Sequence, residues 1–258
     1  MSSLYKYYPV KNPKNLDGEY SIQNLINNKT AFSTRKNFND LFDSKVDLIK
    51  PTRRELKDLH SRLKGKQKMF FKQLLLGSDG NKQIDKFYQN ANTKFDEYLY
   101  SCFTTEPDNN LMWSHYASSH KGFCLEWDAT KFKADKIQYK NEIASFELLD
   151  IIKLEYGFAI ESEIGLKIWD AIKTKLTEWE YENEYRVHLS NSMCAYYNPR
   201  KEKFALVPYE PTWIKSIIFG CRMDIQTQNH IKDLMPPHIK VKYAIEGKSK
   251  VEIKDKRT

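Results

Sequence analysis

Cysteine, glycine and proline are all scarce in this chain, with 4, 9 and 9 copies in 258 residues. With so few cysteines in a chain expected to be cytoplasmic, a disulfide framework is not expected, and no internal repeat or low-complexity segment is evident. Cys102, Cys124, Cys194 and Cys221 are far apart, with no CxxC pair and no histidine at metal-ligand spacing. A closed zinc site is therefore not expected, and no metal ligand set is assigned. No apolar run approaches the ~20 residues that span a bilayer. The opening MSSLYKYYPV lacks a charged-then-apolar leader, so the expectation is a cytoplasmic protein with no membrane partner. There is no Walker A loop, GxGxxG, HExxH or GxSxG to point to better-known chemistries.

What the chain does have is apolar and aromatic surface. Hydrophobic residues make up 40% and aromatics 14%, enough to bury a core and to exclude wholesale disorder. Acidic residues are the minority sign, at 34 Asp and Glu against 42 Lys and Arg, and the net charge is +8. The excess is uneven. Arg53 to Lys72 carries eight Lys or Arg against only Glu55 and Asp58, and Lys248 to Arg257 forms a second basic stretch. Such patches suit a polyanion, so Arg53, Arg54, Lys57, Lys64, Lys66 and Lys68 are candidate nucleic-acid contacts. A Lys- and Asn-rich composition also follows from an AT-rich genome, which is the bland alternative.

Hydrophobic periodicity predicts interspersed strands and helices without strict βαβ alternation, hence an α+β fold. A strand is expected over Leu4–Val10, a helix over Thr52–Leu76 carried by Leu56, Leu59, Leu63, Phe70 and Leu74, and another over Gln83–Phe95. Residues 51–96 read as a basic helical insertion or lid within a single domain of residues 1–258. A strand at Tyr98–Thr104 leads to a helix over LMWSHYASSH, stopped at Gly122, and then to the strand GFCLEWD. Lys136–Lys140 is expected to pair nearby, and helices are expected at Glu142–Tyr156 and Ile164–Trp179. Strands at Tyr185–Leu189, Phe204–Pro208, Ile214–Phe219, Ile239–Ala244 and Lys250–Ile253 follow, with a helix at Ile225–Leu234.

The segment WEYENEYR places Glu180, Glu182, Glu184 and Arg186 at alternate positions. In an extended chain these would share one face. Adjacent carboxylates repel, and Arg186 offsets that repulsion. Because the preceding helix reaches Trp179, Glu180 falls at its end. Glu184 is then the leading catalytic candidate and Glu182 its neighbour, while the bland reading is a solvated acidic face balanced by Arg186.

The ordered motifs LYKYYP, FNDLFD, SCFT, LMWSHYASSHKGFCLEW, WEYENEYR and IIFG resemble the bacterial domain-of-unknown-function family 2971, over nearly the whole chain. The chain departs from that family at Leu41, where proline is usual. A second resemblance is to the ADP-ribosyltransferase superfamily, with its aromatic and basic first strand, Ser/Thr-bearing middle strand and late ExE. That resemblance implies a central mixed or antiparallel, possibly split, sheet and an NAD cleft. In it Glu184 is the carboxylate that steadies oxocarbenium character as nicotinamide leaves, and Glu182 orients or deprotonates the acceptor. Tyr5, Lys6, Tyr7, Ser101, Thr104, Trp113, Tyr116, His120 and Arg186 become candidate NAD contacts. Tyr116 and His120 are expected one helical turn apart. Lys6 is the only cation on the first strand, where the superfamily has Arg or His. The implied activity is NAD-dependent modification of a nucleic acid or protein, or NAD hydrolysis, in phage defence (abortive infection) or a toxin system. The alternatives are a nuclease using the acidic cluster and a non-enzymatic nucleic-acid-binding module.

Overall fold

The structure, a computed structural model, describes residues 2–256, so Arg257 of the second basic stretch lies outside the described residues. The chain up to Ser33, Leu99–Ile137 and the part from Glu178 onward form one compact unit. Thr34–Tyr98 and Gln138–Thr177 form a second.

The first unit is built on a ten-stranded mixed sheet. Its main path runs Phe204–Pro208, Lys29–Ser33, Tyr100–Thr104, Ser3–Tyr8, Phe123–Asp128, Ile214–Phe219, Lys240–Glu246 and Val251–Lys254. Its pairs are antiparallel except Ile214–Phe219 with Lys240–Glu246, which is parallel and joined by the crossover helix Ile225–Leu234. Asp224 caps that helix by accepting from the Thr227 backbone N–H at 2.8 Å.

Alternation assigns the two faces of the sheet. Leu4, Tyr8, Phe103, Leu125, Trp127, Ile217 and Phe219 form the larger core cluster on one face. On the other, Tyr7, Cys124, Ile218 and Ala244 pack with Met112, Trp113 and Ala117. The helix Asn110–Tyr116 supplies Met112 and Trp113, and Asn109 starts it by accepting from Leu111 and Met112 backbone N–H groups. Trp113 is fully buried, so truncating it to alanine would cost roughly 3–5 kcal/mol.

The middle strand Tyr100–Thr104 has three partners. Glu184–His188 runs antiparallel along its whole length, from Glu184↔Thr104 to His188↔Tyr100. Its other edge is divided, because Thr104 pairs with Tyr5 of the first strand and Tyr100 with Ser33.

The second unit is helical with two small parallel pairings, Val46–Ile49 with Ala144–Glu147 and Gln138–Lys140 with Thr174–Leu176. The basic helices within residues 51–96 share this unit with residues 34–50 and 138–177. Thr52 and Glu55 make a reciprocal capping box at the start of Arg53–Arg62. The helix expected to run to Leu76 breaks after Arg62, where Leu63 and Lys64 are extended and Gly65 takes φ +53°. Glycine disfavours a helix interior and accepts that angle. The break resets the helical phase, so Phe71 and Leu75 are buried, whereas Phe70 and Leu74 are exposed.

Two further helices are shorter than the periodicity implies. Ala144–Glu147 is a strand that precedes the helix Leu148–Glu155. The helix at Glu161–Ile172 ends well before Trp179 and gives way to the strand Thr174–Leu176 and a 3-10 turn, Thr177–Glu182. Lys175, on that strand, pairs with Asp43 at 3.3 Å, both side chains 4% exposed. The helix Asn191–Tyr197 and the strand Val46–Ile49 have no counterpart in the periodicity reading. Among the described residues no helix is long and apolar enough to cross a membrane.

Candidate carboxylate site and its surroundings

In WEYENEYR, Glu180 is off the strand as expected, but a 3-10 turn and not the end of the long helix carries it, and the same turn takes Glu182 off the strand as well. Only Glu184 and Arg186 lie on a strand, and Asn183, at φ +43°, reverses the chain just before it. Glu184 and Arg186 do share a face, and the pair is buried. Arg186 Nε donates to Glu184 Oε1 at 2.5 Å and its Nη2 to Oε2 at 3.2 Å, with the guanidinium 0% exposed and the carboxylate 5%. This fork on both oxygens is the strong form of the interaction. The guanidinium also lies 5.8 Å from the centre of the Tyr100 ring.

Glu182 is buried on the turn, and Tyr116 donates to its Oε1 at 2.6 Å. Side chains from the end of the middle strand stitch this turn in place. Thr104 donates to the Glu182 carbonyl, Asn183 donates to Thr105 Oγ1 at 2.6 Å and Glu106 Oε1 at 3.0 Å, and Asn109 donates to the Tyr181 carbonyl at 2.9 Å. Tyr7 donates to the Glu106 carbonyl at 2.6 Å and meets Trp113 edge-on at 5.0 Å. Trp113 in turn donates to the Pro107 carbonyl at 2.8 Å. Burial raises the Tyr7 hydroxyl pKa far above its ordinary value.

Strand registers extend the site into a row across one sheet face. Glu184 pairs with Thr104, Thr104 with Tyr5, Tyr5 with Glu126, Glu126 with Ser216 and Ser216 with Lys240. Paired residues project to the same side. Burial and the neighbouring Glu126 carboxylate push Tyr5 up to about 12. Glu126 accepts from Ser216 at 2.6 Å, Ser3 at 2.8 Å and Lys242 at 2.8 Å. Burial alone would raise its pKa, but those three donors outweigh it and leave the carboxyl below its ordinary range. Beside it lies a groove of about 380 Å³ lined by Lys215, His238, Lys240 and Lys242.

Lys6 and Ser101 occupy the opposite face. Lys6 sits where the edge of the middle strand is divided, donating to Ser101 Oγ, to the Ala31 carbonyl at 3.2 Å and to Thr30 Oγ1 at 3.4 Å. Its ammonium is 5.4 Å from the centre of the Phe103 ring, and burial lowers its pKa to about 8. The structure therefore brings Glu182, Glu184, Arg186, Thr104, Tyr5, Tyr7, Trp113 and Tyr116 to one side of the sheet, while Lys6 and Ser101 face the other.

His120 is placed differently again. The expected helix ends at Tyr116, and Ser118, Ser119 and His120 all take left-handed angles, at φ +48°, +54° and +70°. Tyr116 and His120 are thus not one helical turn apart. Left-handed geometry costs L-residues roughly 1–2 kcal/mol each. Backbone bonds hold it: His120 N–H to the Trp113 carbonyl at 3.2 Å, Arg222 N–H to the His120 carbonyl at 3.0 Å and Gly220 N–H to the Gly122 carbonyl at 2.9 Å. A Cβ on Gly220 would collide with the His120 carbonyl, which is why IIFG must end in glycine.

In the second unit Arg53, Arg54, Lys57, Lys64 and Lys66 are exposed and Lys68 is half-buried. Nothing in the local sequence marks Glu126, Asn109 or Asn183 as site residues, or residues 118–120 as a positive-φ run. No group of three His, Cys, Asp or Glu among the described residues could hold a metal ion.

Comparison with curated proteins gives no match, and neither does comparison with solved structures. A family comparison does, over the helix, strand and turn that build this site. The motifs LYKYYP, FNDLFD, SCFT and IIFG lie outside the matched span, while nearly all of LMWSHYASSHKGFCLEW and the whole of WEYENEYR lie inside it. Residues 112–187 match the family described as "Protein of unknown function (DUF2971)".

Proposed function

We propose that the chain is an NAD-consuming enzyme of ADP-ribosyltransferase-like architecture, modifying a nucleic acid or protein or hydrolysing NAD, with Glu184 and Glu182 as its working carboxylates. One observation carries the reading: Glu184, Thr104 and Tyr5 stand in register on one sheet face, with Glu182 fixed by Tyr116 at the same strand end. Two carboxylates, each held by a separate donor, suit a division of labour between charge stabilisation and acceptor activation.

The side chains present fit the nicotinamide-ribose end of NAD. Glu184 and Glu182 would accept from ribose hydroxyls, and the partly exposed Tyr5 and Tyr116 would flank the ring. NAD would supply an electrophilic ribose carbon on loss of nicotinamide. Arg186 is committed to Glu184, so its role is to position that carboxylate rather than to clamp phosphate. Lys6 and Ser101, on the other face, have no part in this arrangement.

The test is nicotinamide release from NAD, with and without RNA and protein acceptors, together with thermal stabilisation by NAD. The paired variant Glu184→Gln/Arg186→Met removes the carboxylate without stranding the guanidinium. Its expected loss of release is roughly 10²-fold or more. The reading is refuted if millimolar NAD neither stabilises the protein nor yields nicotinamide with any acceptor.

A second reading has its own observation: six cations, Arg53, Arg54, Lys57, Arg62, Lys64 and Lys66, are exposed on or between the helices Arg53–Arg62 and Gly65–Phe71. They suit a polyanionic acceptor or a purely binding role. Neutralising Arg53, Arg54 and Lys57 together should lower RNA affinity and flatten its salt dependence by about 0.7 per lost phosphate contact. An unchanged salt slope rules this surface out.

A further inference from the structure

The first unit holds a second polar cavity, of about 250 Å³, whose lining includes Asn110, His120, Cys221, Arg222, Glu246 and Lys250 and none of the carboxylate-row residues. Its wall is set by the left-handed run 118–120, which aims the His120 side chain away from the position a continued helix would give it. The imidazole lies nearly parallel to the Trp113 ring, 12° apart in plane with centroids at 6.5 Å. Its Nδ1 is sealed from solvent and has no hydrogen-bond partner among the described residues.

That sealed atom decides what His120 can offer. A proton on Nδ1 would be a buried donor with no acceptor, so the stable neutral tautomer keeps its lone pair there and carries the proton on Nε2. Charging the ring would require the same unpaired N–H. Burial, reinforced by Arg222, moves the imidazole in that direction too, below its ordinary value, against the opposing pull of Glu246. His120 therefore presents an N–H donor at its accessible nitrogen. Arg222, the Asn110 amide, Lys248 and Lys250 add further donors, and Glu246 is the one carboxylate in the lining. A volume of this size accommodates roughly eight water-sized groups, the scale of a phosphate group carrying a few carbons.

We propose that this cavity is a binding site for a small phosphate monoester, held by the His120 Nε2–H and the Arg222 guanidinium. A neutral imidazole donor beside a guanidinium matches a tetrahedral oxyanion, and the fixed loop pre-orders the donor before the ligand arrives. The site is independent of the carboxylate row and stands whether or not NAD is consumed there.

The experiment titrates the protein with inorganic phosphate and with ribose 5-phosphate. It follows the His120 ring nitrogens by long-range ¹H–¹⁵N spectroscopy and the affinity by calorimetry. Expected are an Nε2–H tautomer throughout and a saturable shift of Nε2. Affinity should fall roughly tenfold or more in Arg222→Gln. His120→Asn should lose affinity similarly while folding normally, because asparagine tolerates the left-handed angle. Lys240→Gln, in the separate groove, should bind like the unaltered protein. The proposal is overturned by a shift that stays linear through the millimolar range, by an unaltered affinity in Arg222→Gln, or by an equal loss in Lys240→Gln.

Discussion

Replacing Glu184 by glutamine alone should damage the fold more than the chemistry requires, and the reason lies in its partner. Arg186 is 0% exposed and Glu184 meets it with both carboxylate oxygens. Glutamine can present one acceptor oxygen to that fork, but its NH₂ group faces a cation. Breaking a buried pair from one side costs about 3–5 kcal/mol, because the remaining charge keeps its desolvation penalty. Replacing both members by uncharged side chains of similar volume is often neutral or favourable. Urea unfolding should therefore rank unaltered protein and Glu184→Gln/Arg186→Met close together, with Glu184→Gln several kcal/mol below both. The rise from single to double variant is the informative quantity, since a carboxylate acting only in catalysis would show no recovery. If Glu184→Gln lies within about 1 kcal/mol of the unaltered protein, the pair is not the energetic unit described, and loss of activity in that variant could be read directly as chemistry.

Other outcomes follow from neighbouring groups. Tyr116→Phe removes a hydrogen bond to a buried carboxylate and should cost about 1–3 kcal/mol; a double-mutant cycle with Glu182→Gln should return a coupling of about 1 kcal/mol or more, and additivity would refute the link. Lys6 has a pKa lowered to about 8 by burial, against 10.5 unfolded, so below pH 8 the folded state bears the cost of a buried charge. That cost is relieved as pH rises from about 8 to 10.5, where the unfolded chain binds more protons. The stability difference between the unaltered protein and Lys6→Met should shift by roughly 1–3 kcal/mol in favour of lysine across that window, and a flat difference refutes the burial argument. Gly220→Ala forces a Cβ onto the His120 carbonyl and should cost roughly 2–4 kcal/mol in urea unfolding; a near-neutral result would show that the 118–120 run can relax.

The legible parts of this chain are those where local pattern and tertiary environment agree. Phe204–Pro208, Ile214–Phe219 and Ile225–Leu234 lie at the expected positions because alternation, a proline or glycine stop and burial coincide. The pairing of Glu184 with Arg186 was legible for the same reason: a period of two on a real strand puts them on one face. Where a residue outside the local window decides, the pattern misleads. Ala144–Glu147 has helical company in sequence but finds a parallel partner at Val46–Ile49, nearly a hundred positions away. The apolar steps from Ile164 continue through Trp179, yet Lys175 leaves the helix to pair with buried Asp43. The segment that follows, Thr177–Glu182, is a 3-10 turn, so Glu182 as well as Glu180 stands off the strand that carries Glu184. The site shows the same division. Ser101 and Thr104 are both hydroxyls on the middle strand, and only register with the first strand decides which one faces the carboxylates. An odd separation puts them on opposite faces, so the strand offers the row Thr104 and gives Ser101 to Lys6. His120 was legible as chemistry but not as geometry. Three left-handed non-glycine residues in succession are intrinsically disfavoured and persist only under outside constraint. Here Gly220 and Arg222, a hundred residues further on, supply the contacts that hold the loop. A histidine whose backbone is fixed at such a distance belongs to the pocket of the loop that fixes it, and that is where its donor is to be tested.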